Sequence, residues 1–163
     1  MAAAVQKPGR REAGLTLVEL IVAFSIMLVL TTMSVPLVRA RIRRDREREL
    51  RIALSDMRHA IDKYKDAADK GQLAPTAITP DSQGYPLKLE DLVNGVKGTG
   101  QNADTKLKFL RRIPKDPMTK SYEWGMRSMQ DDPKNTGWGG QNIFDVFTKS
   151  QEKAADGTPY SEW

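Results

Sequence analysis

Hydrophobic and polar positions follow three regimes along this chain. Residues 1–14 are polar and basic. From Leu15 to Val38 the run LTLVELIVAFSIMLVLTTMSVPLV is 24 residues long, with one ionisable group, Glu19, and no Lys or Arg. As a helix it spans about 36 Å, enough to cross a ~30 Å hydrocarbon layer. Beyond it the pattern turns amphipathic. Leu50, Leu54, Met57, Ile61, Tyr64 and Ala68 recur at steps of four and three, one stripe of a helix. No Gly or Pro interrupts residues 39–70, and Lys70-Gly71 reads as the stop. The pattern therefore predicts one helix of roughly 55 residues, about 80 Å long, apolar all round at first and striped afterwards. Pro36 removes one internal hydrogen bond and predicts a kink or local melting.

After Gly71 the pattern shortens. Pro75, Pro80, Gly84 and Pro86 mark a loop; Leu87, Leu89, Leu92 and Val93 fit a short helix closed by Asn94-Gly95. Residues 95–104 read as a Gly-rich mobile loop, and Leu107, Phe109 and Leu110 as an apolar turn closed by Ile113-Pro114-Lys115-Asp116-Pro117. Tyr122-Glu123-Trp124 and Ile143 to Phe147 read as strands around a polar loop, Asp131 to Gly140. The expected fold class is α+β, a small antiparallel sheet laid on the stripe of the long helix. The divisions are a leader (1–14), an apolar helix (15–38), its amphipathic continuation (39–70) and a globular head (71–163).

Composition narrows the chemistry. The formal charge is +5; Lys7, Arg10, Arg11 and Glu12 give the leader +2 of it, leaving +3 for the remainder. That is too small to argue for a polyanion partner. The absence of cysteine excludes disulfides, thiolate nucleophiles and Cys metal sites. Glu19 is the outlier. A lone carboxylate one turn into an apolar helix costs on the order of 3 kcal/mol in lipid, and a simple anchor gains nothing from it.

A short basic leader ending in Gly14, then Leu15-Thr16-Leu17-Val18-Glu19 and an apolar run, resembles the processing site of type IV pilins and type II secretion pseudopilins. The resemblance implies cleavage between Gly14 and Leu15 by a prepilin peptidase, N-methylation of Leu15, and an assembly role for Glu19. Pro36 matches a proline common in this helix. Leu15 departs mildly from the commoner phenylalanine. In the head, Gly84-Tyr85-Pro86 before Leu89-Glu90-Asp91-Leu92, the Ile113 to Pro117 turn and the C-terminal strand are similar to the major (G-type) pseudopilin of type II secretion. The lack of a cysteine pair tilts the same way, since many major pilins close a C-terminal loop with a disulfide.

The resemblance implies a type IV pilin-like fold and a structural subunit rather than an enzyme. It places the precursor in the bacterial inner membrane as a single pass with its head in the periplasm, in contact with membrane lipid. The implied partners are copies of itself in a helical homopolymer, the prepilin peptidase, an assembly ATPase, an inner-membrane platform protein and minor pseudopilins. A surface pilin for adhesion, motility or DNA uptake is the near alternative; a monomeric binding domain on a signal anchor is a distant one. Ordinary secretion with a cut at Val38-Arg39-Ala40 fits poorly, because the apolar run exceeds an h-region and Glu19 interrupts it.

Catalytic and ligand motifs are sparse. His59 is the only histidine, so a His-based triad or zinc site has no second member. Gly95, Gly98 and Gly100 form no GxGxxG after a strand, and no GxxxxGK[ST] occurs. Related major pseudopilins bind Ca²⁺ in a C-terminal loop, but Ser150 to Gly157 offers only Glu152 and Asp156, around Lys153. Two carboxylates are a weak calcium candidate for an ion that takes six to eight oxygens. The seven arginines between Arg39 and Arg51 are diluted by Asp45, Glu47 and Glu49 and lack interleaved aromatics, so lipid headgroups or neighbouring subunits fit them better than nucleic acid. By the positive-inside rule alone these arginines would face the cytoplasm, opposite to what the resemblance implies.

Overall fold

A computed structural model of the chain describes Gly14 and residues 16–100, 103–133 and 135–163, the side chains of 33–37 excepted. Two compact units result, Met1–Arg43 and Arg44–Trp163. Helix α1 covers Leu17–Asp69 and spends residues from both. It continues as helix through position 36, so the expected local melting does not occur. The cost of the absent N–H is local, and the turns on either side remain helical. At its end Gly71 takes φ 65°. The Gly71 N–H donates to Ala68 O at 3.0 Å and the Gln72 N–H to Ala67 O at 2.9 Å, the paired bonds of a Schellman stop.

In the second unit the predicted stripe is the core. Leu50, Leu54, Met57, Ile61 and Tyr64 are each at most 2% exposed, and Ala68 packs at the margin. Against them lie Leu73, Leu92, Trp124, Ile143, Val146 and Tyr160. Alanines at 53, 60 and 67 share the buried face and let the head approach the helix closely.

Helix α2, Leu89–Asn94, ends at Gly95 as its sequence predicts. The strands differ from expectation. Strand β1 (Val96–Lys97) pairs antiparallel with β2 (Lys106–Leu107), and β3 (Gly125–Arg127) with β4 (Asp145–Phe147), giving two two-stranded sheets among the described residues instead of one. The expected mobile loop after Gly95 is therefore tied at both ends; the Thr99 N–H also donates to Gln72 O and its hydroxyl to Gly71 O. Gln101 and Asn102 lie outside the described residues. Tyr122-Glu123-Trp124 is not a strand: the Glu123 N–H turns to Ser121 Oγ and Trp124 Nε1 to Pro114 O, so pairing begins only at Gly125.

Two polar hubs fix this frame. Asp116 is fully buried and accepts from Thr148 Oγ1 (2.5 Å), Thr119 Oγ1 (3.0 Å) and the Met118 N–H (2.8 Å). Asp145 accepts from Arg58 Nε at 2.7 Å and Arg127 Nη1 at 3.4 Å, which joins α1 to β3 and β4. In the polar loop, the N–H groups of Gly139 and Ser128 hold the Asp131 carboxyl below the usual carboxylate range.

Candidate functional site

The residues singled out at the N-terminal end fall at the start of α1. Gly14 is exposed, and a Cβ built on it would meet nothing within 4 Å. Leu15 lies outside the described residues, as do the side chain of Pro36 and the leader before Gly14.

Thr16 sits just before the first helical residue, and the Glu19 N–H donates to Thr16 Oγ1 at 3.2 Å. Thr16 is thus the N-cap and Glu19 the third helical residue. Thr-x-x-Glu before an apolar run is the capping-box pattern, a signal present in the sequence that the resemblance overshadowed. It has an electrostatic consequence. The first turn carries the positive end of the helix macrodipole, worth about 0.3–1 kcal/mol to an anion there. Glu19 is therefore at the position in this apolar stretch where a carboxylate costs least. Among the described residues its carboxylate has no partner.

Among the described side chains, three further hydroxyls of the stretch bond within the helix itself. Ser25 Oγ donates to Ile21 O, Thr31 Oγ1 to Met27 O and Thr32 Oγ1 to Val29 O, all at 2.7–2.8 Å. Outside those bonds the surface is apolar and open: Leu17, Phe24 and Leu28 are 73%, 68% and 70% exposed. Exposed apolar area of this extent marks an interaction surface, in lipid or between proteins. The predicted span of 15–38 includes Leu15 and the side chains of 33–37, which lie outside the described residues. Among the described residues no helix is long and apolar enough to cross a membrane.

The calcium candidates occupy the tail. The Ala154 N–H donates to Thr158 O and the Gly157 N–H to Ala154 O, closing a turn around Asp156. The Thr158 N–H binds Asp156 Oδ1 at 2.9 Å and holds that carboxyl below its ordinary range. Glu152 accepts the Tyr160 N–H on its backbone oxygen. Among the described residues no three His, Cys, Asp or Glu gather to hold a metal. The tail docks by other means: Tyr160 Oη donates to Glu47 at 2.7 Å, Arg58 to Trp163 O at 2.6 Å and Arg127 to Ser161 O at 3.1 Å. Sequence reading could not find these contacts, because the partners lie more than a hundred residues apart in the first two. His59 is exposed on α1.

Residues 9–35 match the prokaryotic N-terminal methylation motif. The match takes in Gly14, Leu15 and Glu19 and supports the pilin-like family, whose members are structural subunits processed by prepilin peptidase. No curated protein and no solved structure matches the chain.

Proposed function

We propose that this chain is a non-catalytic subunit of the periplasmic pseudopilus that drives export by type II secretion. The observation that carries the reading is the methylation motif over residues 9–35, placed on a helix start that is exposed and capped. On this reading the segment 15–38 holds the precursor in the inner membrane with the head in the periplasm. Prepilin peptidase cuts between Gly14 and Leu15, and the new Leu15 amine is methylated. An assembly ATPase, a platform protein and minor pseudopilins are the partners it calls for.

The chemistry of joining is electrostatic. Cleavage creates a positive amine on Leu15, and in the filament it approaches Glu19 of a copy already in place. Opposite charges at contact distance in a low-dielectric core attract strongly, and deleting one member of such a pair costs about 3–5 kcal/mol. The exposed apolar side chains of α1 then pack as the filament core, where Pro36 allows a local change of helix path. Glu152 and Asp156 are the carboxylates through which calcium would act on the tail.

Mass spectrometry of the mature N-terminus tests the reading. A methylated Leu15 is expected; an intact leader, or a start near Arg41, overturns it. Glu19→Ala should leave cleavage intact and sharply reduce filament incorporation, whereas Gly14→Ala should leave the precursor uncut. Long surface filaments would assign the chain to a surface pilus instead of a periplasmic one.

A further inference from the structure

Within the second unit, one face of α1 carries its charges in two blocks. Arg44, Arg48 and Arg51 recur at steps of four and three, and all are exposed. Asp62, Asp66 and Asp69 repeat the same spacing further on, and all are exposed. Each aspartate follows one arginine by 18 residues. At 3.6 residues per turn, 18 residues is five whole turns, so both triads point the same way, about 27 Å apart along the axis. Ser55 and His59 lie between them, also exposed.

Inside a single chain this arrangement is unfavourable, because each step within a triad sets like charges one turn apart. The relief available is partial. Asp69 pairs with Lys65, and the Arg51 guanidinium stacks 4.2 Å from the Trp163 ring centre. Among the described residues Arg44, Arg48, Asp62 and Asp66 form no ion pair. Only a second helix brings the two blocks together.

We infer that this stripe is the contact by which parallel copies of the chain set their axial stagger, the basic triad of one copy lying on the acidic triad of the next. The inference deepens the filament reading and rests on it. A stagger of 18 residues sets Arg44 on Asp62, Arg48 on Asp66 and Arg51 on Asp69. One turn less sets Arg44 on Arg58 and Arg51 on Lys65; one turn more sets Glu47 on Asp69 and Arg48 on Lys70. The wrong registers are thus opposed by repulsion as well as lacking the full attraction. The contact is heterologous: it uses the basic block of one copy and the acidic block of the next, and leaves the other block of each copy unused.

The chain has no cysteine, which makes crosslinking clean. Full-length chains bearing Arg48→Cys, mixed with chains bearing Asp66→Cys in the producing cell, should form a disulfide-linked pair in assembled material. Ser55→Cys mixed with His59→Cys should not, because those positions meet in an antiparallel pair or at a parallel stagger of four residues, not at eighteen; a crosslink there overturns the inference. Reversing Arg44 and Arg48 to Glu, or Asp62 and Asp66 to Arg, should cut sedimentable filament by roughly tenfold, from two exposed ion pairs turned into repulsions. These four positions avoid the in-chain contacts of Arg51 and Asp69. The combined fourfold swap restores complementarity at the same stagger and should restore assembly. Filaments that depend on Glu19 but ignore these reversals, or a fourfold swap no better than either half, overturn the stagger alone. No filament from the unaltered chain overturns both readings.

Discussion

Alkaline pH should loosen the head through one phenol. Tyr64 is 1% exposed, donates its hydroxyl to Ala77 O at 3.1 Å, and meets the Phe109 ring edge-on at 5.3 Å. Burial first, and the negative charge of Asp91 second, push its pKa up from 10.0 to about 12. The unfolded chain releases this proton near pH 10. Above that pH the unfolded form is the one that binds fewer protons, so stability falls as pH rises. The contribution is whole below pH 10 and is lost as pH climbs through 12. Two pKa units correspond to about 3 kcal/mol in the limit, and roughly 2 kcal/mol of that is gone at pH 12 itself. Denaturant unfolding of the purified full-length chain and of Tyr64→Phe, at pH 9 through 12, isolates the effect, because lysine and arginine titrations are common to both. The unaltered chain should lose about 2 kcal/mol more than the variant over that range. Parallel stability curves for the two proteins would refute the reasoning.

Three further outcomes follow from the same packing. A Cβ at position 125 would lie 2.4 Å from Phe147 Cε2, and that ring is 3% exposed beneath the Arg127 guanidinium, 4.1 Å from its centre; Gly125→Ala should cost about 1–3 kcal/mol by overpacking, read as a lower denaturation midpoint. Asp116→Ala strands the buried Thr148 hydroxyl and the Met118 N–H, which at about 1–3 kcal/mol for each orphaned donor should destabilise the head by about 4 kcal/mol in denaturant unfolding. The tail closes on its own hydrogen bonds, so adding calcium or a chelator should leave the melting temperature unchanged; a rise of several degrees with calcium would assign Glu152 and Asp156 to a bound ion.

Periodic signals in this chain were readable because their causes are local. The four-and-three spacing from Leu50 to Ala68 fixes a buried stripe whatever covers it, and Gly71 can take the left-handed φ that ends α1. The methylation motif that takes in Gly14 and Glu19 was likewise legible, since it is read over contiguous residues. Even the N-cap bond from the Glu19 N–H to Thr16 Oγ1 joins residues within four consecutive positions.

What covers the stripe was a different matter. Nothing local tells Tyr122-Glu123-Trp124 that its polar atoms go to Ser121 and Pro114, so that pairing starts at Gly125, the position where the Phe147 ring leaves no room for a side chain. Nothing near Asp145 announces that arginines from positions 58 and 127 share it, nor does the tail reveal that Tyr160 reaches Glu47. The sequence by itself determined one long helix, its two faces and its N-terminal methylation motif, because those depend on neighbours close along the chain. Tertiary structure alone decided the two small sheets, the buried aspartate and the docking of the tail, because each depends on which distant polar group satisfies a partner removed from water.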